Sequence, residues 1–536
     1  MAVSTLNLPG LPSLPRRTGQ GLSLPALLAC LAAVVAVLPL LGVLFAAATG
    51  AQADIAGQDI LRYGLTSLWL ALWVGLATAL VGTLAAWLVA MHRFPGRAFF
   101  AWALALPLAA PAFALAYAYA DLFDVAGSLR MALRDQAGFD LPINLRSTGG
   151  AAFVLSCAFY PYVYLAMRAA LVNQSVNLLE AARTLGCSHW QAFRRVALPM
   201  ARPALAAGVA LAVMETLADY GAVQFLSVQT LTTGVVRAWS VYGSTTSAAR
   251  FALPLLATAA LLLWIERRGR KGRTHEAGNA RWRSLEARPL GPLAGAAAFA
   301  FCLLLLTAGL LLPFAWLLWG ALSANPDWVR LWQAGLNSFA LGGTGAVVTV
   351  ALATMLALGA RRYPLASRFA SLGYATPGAV MAIGLLAPAG MVWTMMPGSG
   401  TAIALVLLLY AYAARLMAAG LEPIDAGLTR ITPSMTQAAR TLGRSEGGAA
   451  LSVELPVARG AMFTAGLIVF IDILKELPAT LILRPFNFDT LAVIANNYAL
   501  DERLGQAGMP SLLITAISLP AVIWLTRKIA VSRPGA

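Results

Sequence analysis

The chain has 536 residues, of which 60% are hydrophobic and 11% charged, with a mean hydropathy of +0.75. That composition excludes a water-soluble globular enzyme and describes a protein built mainly of membrane spans. A formal net charge of +16 would mark a nucleic-acid binder in a soluble chain. Here most Lys and Arg fall between alternate apolar stretches, the bias of cytoplasmic loops, so membrane lipid is the expected surrounding and nucleic acid is not a partner.

A bilayer-spanning helix takes about 20 apolar residues. Stretches of that kind occur near 25 to 49, 64 to 90, 98 to 120, 150 to 172, 204 to 223, 251 to 265, 291 to 320, 338 to 360, 369 to 395, 401 to 419, 461 to 482 and 508 to 526. The expected fold is therefore an all-α polytopic membrane protein with about twelve transmembrane helices. The first stretch follows Arg16 and Arg17 and is longer than the apolar part of a secretory signal, so it reads as an uncleaved span. With the basic loops inside, both termini are expected to be cytoplasmic. Cys30, Cys157, Cys187 and Cys302 show no paired spacing.

Between the fourth and fifth stretches lies Glu180-Ala181-Ala182-Arg183-Thr184-Leu185-Gly186, followed by Leu198-Pro199. Helix-forming residues, a turn glycine and a second segment ended by Leu-Pro predict a short helix, a turn and a second short helix along the membrane surface. The fifth stretch then carries Glu215 and Asp219, just ahead of Tyr220. At i, i+4 the two carboxylates are expected on one helix face. Ionised groups in a bilayer cost about 3 kcal/mol each on insertion scales, so they usually face a bundle interior or a water-filled path. Pairing between helices, such as Lys475 with Asp472, is the alternative.

Midway stands Arg267-Arg268-Gly269-Arg270-Lys271-Gly272-Arg273, the start of a charged interruption reaching Arg288-Pro289. Beyond it the first motif returns 257 positions on: Gln437-Ala438-Ala439-Arg440-Thr441-Leu442-Gly443, with Leu455-Pro456 following. The same offset carries Glu215 to Asp472 and Asp219 to Glu476. An internal repeat of this length divides the chain into two similar halves. An even number of spans separates the two loops, which makes the halves parallel six-helix repeats. The expected plan is a cytoplasmic segment 1–24, a first transmembrane half 25–266, a basic cytoplasmic linker 267–290, a second transmembrane half 291–527 and a cytoplasmic tail 528–536.

No phosphate-cradling loop exists in the chain. Such a loop needs Gly-Lys followed by Ser or Thr, whereas the lysines Lys271, Lys475 and Lys528 follow Arg, Leu and Arg. Any ATP hydrolysis belongs to another subunit, and this chain is not expected to be an enzyme.

The paired loops resemble the cytoplasmic signature loop of ABC importer permeases, which docks into the ATPase subunits. That resemblance implies a type I importer-like permease fold in a bacterial inner membrane. It also implies two copies of an ABC ATPase that bind ATP and Mg, a periplasmic substrate-binding protein, and no cofactor held by this chain. It makes Glu180, Ala181, Ala182, Gly186, Leu198 and Pro199 docking residues, together with Gln437, Ala438, Ala439, Gly443, Leu455 and Pro456. Gln437 departs from the pattern, which has Glu there.

Glu215-Thr216-Leu217-Ala218-Asp219-Tyr220-Gly221 and Lys475-Glu476-Leu477-Pro478-Ala479-Thr480-Leu481, with Arg484-Pro485-Phe486 and Asp489-Thr490-Leu491-Ala492, are similar to fused permeases of ferric-iron import systems. Fe3+ is the cargo so implied. Glu215, Asp219, Tyr220, Asp472 and Glu476 are the candidate path residues, with no metal ligand assigned. Permeases for thiamine, polyamine or another small solute, and an ion-driven secondary transporter, remain the alternatives.

Overall fold

Hydrocarbon offers backbone polar groups no partners, so a chain this apolar must satisfy them within helices. The computed structural model describes residues 24–49, 57–124, 127–138, 143–172, 182, 184–270, 287–360, 372–374, 376–395, 398–429 and 431–531. The first half comprises α1 (Leu24–Thr49), α2 (Gly57–Met91), α3 (Arg97–Ala103), α4 (Ala112–Phe123), α5 (Ser128–Ala137) and α6 (Thr148–Val172). It continues through α7 (Leu198–Ala218), α8 (Gly221–Phe225), α9 (Leu231–Ser240) and α10 (Thr245–Arg270). The second half begins with α11 (Pro292–Leu306), α12 (Leu312–Ser323), α13 (Trp328–Ala360), α14 (Gly378–Met395) and α15 (Gly400–Leu428). It ends with α16 (Pro433–Thr441), α17 (Leu455–Leu474), α18 (Pro478–Leu483), α19 (Leu491–Leu500) and α20 (Leu504–Val531). Two short strands, β1 (His92–Arg93) and β2 (Arg288–Pro289), pair in parallel.

Among the described residues, ten helices are long and apolar enough to cross a membrane, or eleven when one bent pair is taken as a single span. That pair is Arg97–Ala109 with Ala112–Phe123, bent by 90°. The break falls at Pro111, whose ring bars a continuous helical hydrogen-bond ladder. The corresponding stretch of the second half, expected at 369 to 395, lies partly outside the described residues, and its described helix α14 likewise starts just after a proline, Pro377.

Two expectations change. The fifth spans are expected at 204 to 223 and 461 to 482, but α7 ends at Ala218 and α17 at Leu474. The segments 224 to 250 and 483 to 507 contain α9 and α19. Leu491 through Ala495 of α19 are fully buried. Leu-Pro does not close a separate short helix. In each loop a five-residue π-helical turn, Phe193–Ala197 or Ala450–Glu454, runs straight into the following span. The wider turn receives the proline two residues later, where a regular α-turn would set its ring against a carbonyl.

Each half is built on three mutually packed helices, α2, α6 and α7 in the first and α13, α15 and α17 in the second. The halves then exchange elements. Helix α1 packs on α13, α14 and α15 of the other half, while α11 meets α3 and α12 meets α4. At the crossing of α1 and α14 only glycine fits, because a Cβ on Gly42 would run into the carbonyl oxygen of Gly384, and one on Gly384 into that of Pro39. Outward faces carry apolar side chains such as Leu80, Val347 and Phe463, as a lipid-facing surface requires.

Candidate translocation site and docking loops

Each fifth span stops where a carboxylate can satisfy the backbone beyond it. In the first half Asp219 adopts extended backbone, and its Oδ1 accepts from the N–H groups of Ala222 (3.0 Å) and Val223 (3.1 Å) at the start of α8. In the second, Glu476 accepts from the N–H groups of Ala479 and Thr480, each at 3.2 Å, at the start of α18. Donor and acceptor positions again differ by 257. These are helix-capping bonds to the otherwise orphaned first amides. Neither Glu215 and Asp219 nor Asp472 and Glu476 therefore share one helix, which corrects the i, i+4 expectation: the second acid of each pair lies past the helix end.

The breaks nevertheless bring both pairs together. Glu215, Asp219, Tyr220, Asp472 and Glu476 line one cavity of about 80 Å³, joined by Tyr162, Arg415 and Lys475 and by Pro107, Leu108, Ala110 and Pro111 at the break of the third span. Arg415 Nη1 lies 3.2 Å from Glu476 Oε1, and its Nη2 lies 4.0 Å from Glu215 Oε2. Lys475 Nζ is 3.0 Å from Asp472 Oδ1 and donates to the Leu108 carbonyl of the first half. The Glu476 carboxylate sits against Gly378, where a Cβ would collide with it. Thr480 Oγ1 lies 3.1 Å from Glu476 Oε2 and 2.6 Å from the Tyr412 hydroxyl.

Arg415 escaped the sequence reading because the tenth span was ended at 419, which put this residue at a cytoplasmic edge. The helix runs on to Leu428, so Arg415 sits near its middle. The apolar run Leu416-Met417-Ala418-Ala419 just after it was the signal available.

The two repeated loops share one geometry. Gly186 and Gly443 have φ of +86° and +82°. Cys187 N–H donates to the Ala182 carbonyl at 3.0 Å, and Arg444 N–H to the Ala439 carbonyl at 3.2 Å. This six-to-one bond around a left-handed residue is a helix stop that glycine permits. Ala182 and Ala439 are buried, whereas Leu185 and Leu442, just before the glycines, are 84% and 83% exposed. Gln437, Ala438 and Gly443 are exposed, and Leu198, Pro199 and Leu455 are half-buried. Glu180 and Ala181 lie outside the described residues. The loops are unequal: Trp190 meets Trp87 edge-on and Phe193 meets it at a tilt, with ring centroids 5.5 and 5.2 Å from it, where the second copy has Gly447 and Ala450. Among the described residues, no three His, Cys, Asp or Glu side chains are gathered so as to hold a metal ion.

Comparison with known proteins matches residues 78–308 to the family described as binding-protein-dependent transport system inner membrane component. The chain is 25% identical over 462 residues, 84% of its length and 86% of the relative, to the Fe(3+)-transport system permease protein FbpB 2 of Haemophilus influenzae. It is 31% identical over 204 residues, 36% of its length and 88% of the relative, to the molybdenum transport system permease protein ModB of Escherichia coli. To the sulfate transport system permease protein CysT of the same species it is 36% identical over 146 residues, 27% of its length and 51% of the relative. With ten or eleven spans and this coverage of a whole relative, the chain belongs to the family of binding-protein-dependent transport system inner membrane components, the permeases of ABC importers.

Proposed function

We propose that this permease imports ferric iron. The observation that carries the reading is the surplus of carboxylates around the central cavity: Glu215, Asp219, Asp472 and Glu476 against Arg415 and Lys475. Surplus negative charge in a low-dielectric site attracts a cation and opposes a dianion such as molybdate or sulfate. Carboxylate and phenol oxygens also suit a hard trivalent ion. Similarity to the Fe(3+) permease runs through both halves, over 84% of this chain, against 36% and 27% for the molybdenum and sulfate permeases.

In this reading a periplasmic binding protein delivers the iron to a bacterial inner-membrane complex. Two copies of an ATPase subunit hold ATP and Mg and seat on the loops ending at Gly186 and Gly443. Both termini and the linker face the cytoplasm with those loops. The path runs past Glu215, Asp219, Tyr220, Asp472 and Glu476.

The test is uptake by a strain lacking its own iron permeases and expressing this chain with its ATPase and binding protein. Radiolabelled Fe(III) should accumulate, and molybdate, sulfate, thiamine and polyamine should not. Uptake of molybdate or sulfate without iron would move the reading to oxyanions.

A further inference from the structure

We propose that Arg415 is a resident counter-cation and latch: it ties Glu215 of one half to Glu476 of the other when the path is empty, and it must leave them when a cation passes. The inference rests on the reading of the cavity as the path. Three observations carry it.

The acids are duplicated between the halves, but the cations are not. Glu215 and Asp219 answer to Asp472 and Glu476, whereas Lys475 answers to Ala218, and both basic residues of the cavity belong to the second half. A cation that served only to neutralise its own half would have a counterpart in the other. Arg415 instead reaches across the boundary.

Glu476 does not need Arg415 to be satisfied. Two backbone amides and the Thr480 hydroxyl already lie within hydrogen-bond distance of its carboxylate. Glu215 is held more loosely, at 4.0 Å, and Arg415 is its ion-pair partner among the described residues. A guanidinium stays charged at any physiological pH, so Arg415 does not leave by losing its own proton, and a cation arriving in the cavity competes with it. A multivalent cation competes with Arg415 for both acids, while an oxyanion would seek Arg415 itself.

The two acids are also attached to the moving parts. Glu215 lies on α7 and Glu476 just past α17, and each of those helices runs unbroken through its π-helical turn from a docking loop. A change in spacing between the loops is therefore carried to the Glu215–Arg415 contact.

The experiment uses the full complex, with its ATPase and binding protein, in proteoliposomes. Arg415→Gln should raise ATP hydrolysis in the absence of binding protein by at least about fivefold, the lower end of ordinary site-to-site coupling. It should also admit Fe(III) without binding protein, and Arg415→Lys should recover the low basal rate. Glu215→Gln, which removes the first-half arm and leaves Glu476 paired, should raise basal hydrolysis as well and serves if Arg415→Gln fails to assemble. An assembled Arg415→Gln or Glu215→Gln complex with the wild-type basal rate and no leak overturns the latch. Failure of the wild-type complex to move Fe(III) overturns the iron reading instead, and basal hydrolysis in the variants still decides the role of Arg415.

Discussion

Asp219 and Glu476 each end one helix and begin the next, and the two carboxylates differ in what else depends on them. Asp219 caps α8 through two amides. Replacing it with alanine removes a cap and should cost about 1 kcal/mol, while asparagine keeps an acceptor and should cost less. Glu476 also faces Arg415, so Glu476→Ala leaves a guanidinium whose side chain is only 13% exposed with the looser Glu215 contact at 4.0 Å as its remaining ion pair among the described residues. The loss should approach the roughly 3–5 kcal/mol of breaking a buried ion pair. Thermal unfolding of the purified permease in detergent should rank the variants Asp219→Asn, Asp219→Ala, Glu476→Ala in falling stability. The four acids were legible in the sequence because charge in an apolar run is conspicuous. Their separation from one helix face was not, since nothing in the spacing of Asp219 reveals that it spends its carboxylate on the amides ahead of it.

At the scale of the element, the loops proposed to seat the ATPase are duplicated in backbone and unequal in side chains. The glycine turn, the six-to-one bond and the π-helical turn recur at the same offset, and the repeat itself made the loops readable from sequence. The exposed leucines were not singled out, because a leucine in a helix-forming run looks like any core residue until its neighbours are known. Leu185 and Leu442 project as apolar knobs beside the turns. Leu185→Asp or Leu442→Asp should weaken ATPase binding by about tenfold, equivalent to roughly 1.4 kcal/mol. Co-purification of the ATPase measures this, and circular dichroism should show the helices unchanged. Trp87, Trp190 and Phe193 clasp the first loop to α2, an aromatic attachment without a counterpart among the described residues of the second loop, so the change at Leu185 is expected to act on a stiffer element.

At the scale of the molecule, the two sequence halves are not two separable bodies. Periodicity and repeats predict about twelve spans, where the described residues hold ten or eleven, and they carry no signal for which half a helix leans on. The exchange of α1 is set by the Gly42–Gly384 crossing, a contact between residues far apart in the chain. Because of it, a protease site inserted within 271–286 and cleaved after purification should leave the two fragments co-eluting on size exclusion, with binding-protein-stimulated ATP hydrolysis retained. The same crossing bears on how the protein is made. Helix α1 leaves the ribosome well before the surface that receives Gly42, which contains Gly384 and follows on the order of 20–70 s later at about 5–20 residues per second. Until then α1 must wait in the bilayer with its glycine seam against lipid, so a helix synthesised early finds its place late.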